Sequence, residues 1–211
     1  MHIIYDTNNV LTKFNMGPQT IIFYGRSGAG KGTQGKLVKE YIESKDPEHK
    51  VLYIETGNGL RALAARDVHT GHITKNILDN GGLIPVFLPI WVWTEYLVNN
   101  FTGSEHIILD GIARRLPETP VIDSALEFYG RKNLVVVYID IPREVAFERL
   151  KARGRYDDTD RDINNRLDWY EENVVPAINF FRNNDRYRFL DINGNRAPEE
   201  VHKDILEQLK I

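Results

Sequence analysis

The chain has 211 residues, 42% hydrophobic and 27% charged, with a formal net charge of -3. That apolar content suits an α/β core with small inserts and argues against disorder, and the length leaves room for one or two domains. The charge balance gives no basic footprint for nucleic acid, and the absence of cysteine excludes disulfides and thiolate zinc sites, so a reducing compartment is permitted.

Residues 1–19 form an arm of unassigned role, with a short strand read at His2–Tyr5 and a turn at Asp6–Asn9. It is expected to pack on the core or to stay disordered, with contact to a second copy as the alternative; a monomer is the expectation and an oligomer stays open. The arm lacks the charged start and long apolar stretch of a secretory signal, and no apolar run reaches membrane-spanning length. A cytoplasmic location with no membrane partner is therefore expected.

Ile21–Tyr24 is a short apolar run, as in a buried parallel strand. Gly25 ends it, and from Gly25 to Lys31 the spacing is G-x-x-x-x-G-K, the pattern of a phosphate-binding loop. Glycines free the backbone to turn its amides onto anionic oxygens, and the following helix adds positive potential at its N-terminus. Lys31 supplies a mobile cation. The hydroxyl residue usual after the lysine is displaced by one, since Gly32 precedes Thr33.

The helix is predicted from about Gly32 to Ser44, with Leu37, Val38 and Tyr41 at helical spacing, followed by a polar turn over Lys45–Lys50. Val51–Ile54 reads as the second strand. The stretch Glu55-Thr-Gly-Asn-Gly-Leu-Arg61 then reads as a polar turn at the sheet's carboxyl edge, where open α/β folds bind ligands. A short helix starts near Leu60, a second runs from Gly71 to Leu78, Leu83–Pro85 is an apolar turn, and Trp91–Phe101 is amphipathic.

His106–Asp110 is a third strand closed by an acid, the arrangement that holds Mg²⁺ beside a phosphate loop, directly or through water. A strand-terminal Asp standing alone also serves as a helix cap; the loop at Gly25 favours the metal role. Helix Val121–Tyr129, strand Leu134–Ile139, a helix from Pro142 to Ala152, a long helical stretch Asp162–Asn183 with Pro176 as a kink, strand Arg188–Ile192 and a closing helix Pro198–Leu209 complete the order. Strands alternating with helices predict a P-loop three-layer α/β/α fold with a five-stranded parallel sheet and right-handed crossovers.

Arginines stand in suspect places: Arg61, Arg114, Arg149, Arg153, Arg155 and Arg166. Arg149 and Arg153 share one helical face. Any one alone would be an ordinary solvated or paired side chain; as a set behind a phosphate loop they suit the charge of a transferring phosphoryl group. Asp157 and Asp158, between them, offer metal ligation or, more simply, charge pairs that orient the arginines.

These strings carry a resemblance. Gly-Ala-Gly-Lys-Gly-Thr-Gln at 28–34, Glu55-Thr-Gly-Asn58 and Leu109-Asp-Gly-Ile-Ala-Arg114 resemble the adenylate kinase family of nucleoside monophosphate kinases, from about Thr20 to the end. The resemblance implies a kinase domain over 20–211, with a monophosphate-binding insert at about 56–85 and a short lid at about 153–162 without zinc. By it, Gly28, Ala29, Gly30, Lys31, Gly32, Thr33, Arg149 and Arg153 would meet ATP, and Arg196 would touch its adenine through the backbone. Thr56, Arg61, Gly82, Leu83, Ile84, Gly111, Arg114, Glu118, Arg155 and Arg166 would meet AMP. Lys31, Arg114, Arg153, Arg155 and Arg166 would act on the transferring group, and Thr33 and Asp110 would support Mg²⁺ through water.

The chain departs from the family at Ile112-Ala113, which replace an aromatic-proline pair, at Asn58 and Val86, where acids are frequent, and at Glu118, where the family has glutamine. A glutamine amide donates and accepts, whereas an ionised carboxylate only accepts. Glu118 alone would suit guanine, while Thr56 matches the AMP-using members; Glu118 pointing to solvent is the simpler alternative. The expectation is transfer of the ATP γ-phosphate to AMP. The alternatives are GMP, CMP or UMP as acceptor, a binding protein that has lost turnover, or a small-molecule kinase of related fold.

Overall fold

The computed structural model describes residues 17–80, 82–155 and 158–211. The readings made for residues 1–16 and for Asp157 lie outside the described residues.

Five strands, β1 (Thr20–Tyr24), β2 (Val51–Glu55), β3 (His106–Asp110), β4 (Leu134–Asp140) and β5 (Tyr187–Asn193), form one parallel sheet in the order β2-β3-β1-β4-β5. Along β1 the side chains alternate between two cores. Ile21 and Phe23 pack with α1 (Lys31–Lys45), α6 (Arg143–Arg153), α7 (Asp160–Trp169) and α9 (Pro198–Leu209), through Val38, Leu150, Leu167 and Ile205. Ile22 and Tyr24 face α4 (Phe87–Asn100), α5 (Thr119–Phe128) and α8 (Val175–Arg182), through Trp93, Leu126 and Phe181. Both faces of the sheet are covered, which is why its strands read as apolar runs. Among the described residues no helix is long and apolar enough to cross a membrane.

The helices of the 56–100 region depart from the predicted bounds. The polar turn expected over Glu55–Arg61 is helical: α2 (Thr56–Ala64) starts directly after β2. Its glycines lower intrinsic helicity but permit close packing, because a Cβ on Gly59 would lie 2.3 Å from Val92 Cγ1 of α4. Helix α3 (His69–Asp79) follows. Helix α4 begins four residues earlier than its amphipathic pattern showed, and it admits Pro89 because first-turn amides have no intrahelical partner. Leu60, Leu63, Ile84, Leu88 and Val92 form a small core of their own beside the main one.

The long helix predicted over Asp162–Asn183 is α7 and α8 joined by a wider turn at Tyr170–Val174. Pro176 lacks the N–H that would continue the α ladder, so the irregular turn falls just ahead of it.

At the amino edge of the sheet, buried His106 ties the incoming chain. Its Nδ1 accepts from the Gln19 N–H at 3.0 Å and its Nε2 donates to Asp46 at 3.0 Å. The Gln19 carbonyl accepts from Ile107 N and from Arg131 Nη2, both at 2.8 Å. The carboxyl edge is left open above β1, between β3 and β4, where successive crossovers leave in opposite directions.

Candidate active site

The loop after β1 carries Gly25, Gly28 and Gly30 at φ 146°, 86° and 91°. Side chains would be strained there, and at Gly25 a Cβ would also lie 2.4 Å from the Ile139 carbonyl of β4. The loop therefore runs close over the sheet and leads into α1, whose free N-terminal amides face the same space. Lys31 Nζ donates to the Gly25 and Arg26 carbonyls, each at 2.8 Å. Burial lowers its pKa to about 8, with Asp110 opposing the shift.

Asp110, at the end of β3, is 5% exposed and accepts from Tyr53 Oη at 3.0 Å. It lies against the first turn of α1: a Cβ on Gly32 would sit 3.4 Å from its Oδ2. A hard carboxylate oxygen next to Gly32, in the cleft that Thr33 also lines, suits an oxygen-seeking divalent cation.

One cleft of about 860 Å³ joins these groups to the arginines. Gly28, Gly30, Lys31, Gly32, Thr33, Asp110, Arg149, Arg153, Arg155 and Arg166 line it, as do Thr56, Arg61, Gly82, Leu83, Ile84, Gly111, Arg114 and Glu118. Two of the residues singled out in the sequence do not line it. Ala29 is buried in the main core, and the Arg196 side chain turns to Asp204 and the Asn193 carbonyl.

The arginines are held by named partners. Arg114 lies over Gly111, with Nε donating to its carbonyl at 2.9 Å. Arg149 donates to Gly194 O at 3.0 Å, and Arg61 pairs with Asn58 and Glu55. Asp158, whose side chain is fully enclosed, takes Arg153 Nε at 2.9 Å and Nη2 at 2.7 Å, Arg166 Nη2 at 2.7 Å and the Arg155 N–H at 3.1 Å. Burial pushes its pKa up, but the bonds from Arg153 and Arg166 outweigh this and hold it well below the carboxylate range. This agrees with reading Asp158 as a charge pair that orients arginines.

Glu118 does not point to solvent. It is 1% exposed; Oε2 accepts from the Arg114 N–H at 3.2 Å and Oε1 from Arg115 Nε at 3.0 Å. Burial raises its pKa, and Arg115 opposes the shift. In the same cleft, Thr56 Oγ1 is buried with no hydrogen-bond partner among the described residues, the mark of a group that awaits a ligand. Sequence reasoning missed Arg115 and Tyr53. Arg115 stood beside Arg114 with no spacing signal of its own, and Tyr53 was read only as a strand residue.

An amide cradle with a lysine, an acid on the neighbouring strand and a ring of guanidinium groups serve to neutralise and align phosphates. The class this defines is a P-loop phosphotransferase. Comparison with known proteins narrows it. The adenylate kinase family model matches residues 23–186. The chain is 32% identical to an adenylate kinase of Prochlorococcus marinus (strain AS9601) over 189 residues, 90% of this chain and 97% of that protein. It is 31% identical to adenylate kinase 1 of Nostoc sp. (strain PCC 7120) over 88% of this chain and 95% of that protein. An adenylate kinase of Leptospira biflexa is 32% identical over 90% of this chain and 98% of its own length. The chain belongs to the adenylate kinase family; it is a nucleoside monophosphate kinase, an enzyme that passes phosphate to a phosphate acceptor.

Proposed function

We propose that the protein transfers the γ-phosphate of ATP to AMP, giving two ADP, as a monomer with Mg²⁺. The observation that carries this is the one cleft that the Lys31 loop shares with seven arginines, Arg61, Arg114, Arg115, Arg149, Arg153, Arg155 and Arg166. Two polyanions meeting there need charge neutralisation and alignment more than covalent help, and the acceptor phosphate, already anionic, needs no general base.

The loop amides and Lys31 hold the donor phosphates, Arg149 and Arg153 its outer side, and Arg61 and Arg114 the acceptor phosphate. Thr33 and Asp110 would hold Mg²⁺ through water; when bound, the ion screens the charge between donor phosphates. Arg155 and Arg166 bridge the two nucleotides from the short lid, and closure of lid and insert would exclude water that otherwise hydrolyses ATP. The small separate core under α2 and α4 supports treating the insert as a unit that moves.

A coupled assay with Mg-ATP and AMP, GMP, CMP or UMP in turn tests the reading. AMP should give a kcat/KM at least about tenfold above the others. Preference for another monophosphate would overturn AMP as acceptor; guanine is the second reading, on the acceptor-only chemistry of Glu118. Binding of ATP without ADP formation from any acceptor would overturn the enzyme reading.

A further inference from the structure

We propose that Arg115 and Glu118 form one base-reading unit, in which Arg115 donates to a ring nitrogen of the acceptor base and Glu118 accepts from the amino group beside it. This rests on the acceptor site assigned above.

Glu118 alone cannot serve adenine fully, because an ionised carboxylate has no hydrogen to give the ring nitrogen. The missing donor is adjacent. The Arg115 guanidinium is fixed at two atoms, with Nε on Glu118 Oε1 at 3.0 Å and Nη2 on the Ile84 carbonyl. Its Nη1 has no hydrogen-bond partner among the described residues, while the side chain is only 17% exposed and lines the cleft. A half-buried guanidinium with idle donors is suited to a ligand acceptor.

The surroundings fit a flat heterocycle. Leu60, Leu83, Ile84 and Val174 supply apolar walls, and Thr56 Oγ1, buried and unpartnered, supplies a further polar contact. The pair thus reproduces with two side chains the donor-beside-acceptor pattern of a single amide. It selects bases with a bare ring nitrogen next to an amino group, as in adenine. Hypoxanthine reverses the pattern, setting its N–H against Arg115 and its carbonyl against Glu118.

The test is kinetics of wild type, Arg115→Ala and Arg115→Met with AMP and with inosine monophosphate, alongside melting temperatures. Arg115→Met keeps the packed stem if the alanine variant folds poorly. Wild type should favour AMP by at least about a hundredfold in kcat/KM. Either variant should raise the KM for AMP, and should lower the AMP-over-inosine preference by about tenfold or more, with the KM for ATP within about twofold. In a Glu118→Gln background the amide itself supplies the donor, so removing Arg115 should change that preference by less than about threefold.

A purely structural Arg115, serving only to tie Ile84, would lower the melting temperature and weaken both acceptors alike. Unchanged base preference in both variants therefore overturns the proposal. A wild type that ignores AMP overturns the functional reading itself; one that uses AMP with a preference indifferent to Arg115 overturns only this inference.

Discussion

Gly111→Ala separates backbone strain from a direct collision at the site. Gly111 has φ 65°, and a Cβ there would fall 2.3 Å from Arg114 Nη2 and 3.0 Å from Cζ. The left-handed backbone costs an alanine about 1–2 kcal/mol, which at this chain length lowers Tm by roughly 2–8 °C. The collision is additional. The guanidinium must leave, breaking its 2.9 Å bond to Gly111 O and abandoning the acceptor phosphate assigned to it. A bond from a charged group is worth about 1.5–3 kcal/mol, so kcat/KM for the acceptor should fall about 10–150-fold. Gly130→Ala is the matched control: φ is 64° there, and nothing lies within 4 Å of the added Cβ. Both variants should melt earlier, and only Gly111→Ala should lose acceptor kinetics. Equal acceptor kcat/KM in the two, with both folded, would refute the role given to Arg114.

Further outcomes follow from other parts of the cleft and core. Lys31→Ala should abolish transfer while circular dichroism and cooperative melting persist; retained turnover would contradict the site. With the free Lys31 pKa lowered to about 8 and a bound polyphosphate raising it, the free lysine loses its charge as pH rises through about 8. ATP affinity should therefore weaken as pH rises above about 8, and should weaken less in the alanine variant, as titration calorimetry across pH would show. The depressed Asp158 pKa contributes stability present above the unfolded value near 4 and lost as pH falls towards the folded value. Asp158→Asn should flatten the acid limb of urea stability between about pH 4 and 2, and lower kcat by weakening the shared anchor of Arg153 and Arg166. Phe181→Ala empties a buried position between the Tyr24 and Tyr187 rings, at 5.5 and 4.8 Å. It should cost about 3–5 kcal/mol in chemical denaturation.

The phosphate loop, the strands and the closing helix were legible because their information is contiguous. Gly25 to Lys31 carries its own spacing, β1, β3 and β4 have apolar runs at their centres, and α9 has a proline at its start and one apolar face within twelve residues. The start of α2 was not legible, since Gly57 and Gly59 argue against helix and the approach to Val92 that accounts for Gly59 is a tertiary contact. Nor was the start of α4, where the residues before Trp91 show a single partly buried face only once α2 is in place.

By itself the sequence determined the class of chemistry: which residues can bind phosphate, and that many guanidinium groups are available near them. Tertiary structure decided which charges meet. Asp158 gathers Arg153 and Arg166, Arg115 joins Glu118 to the Ile84 carbonyl, and Arg196 is drawn off to Asp204. The reason is physical. A loop motif is satisfied by neighbours in the chain, whereas an ion pair depends on distance and burial, which are set by how separate elements pack.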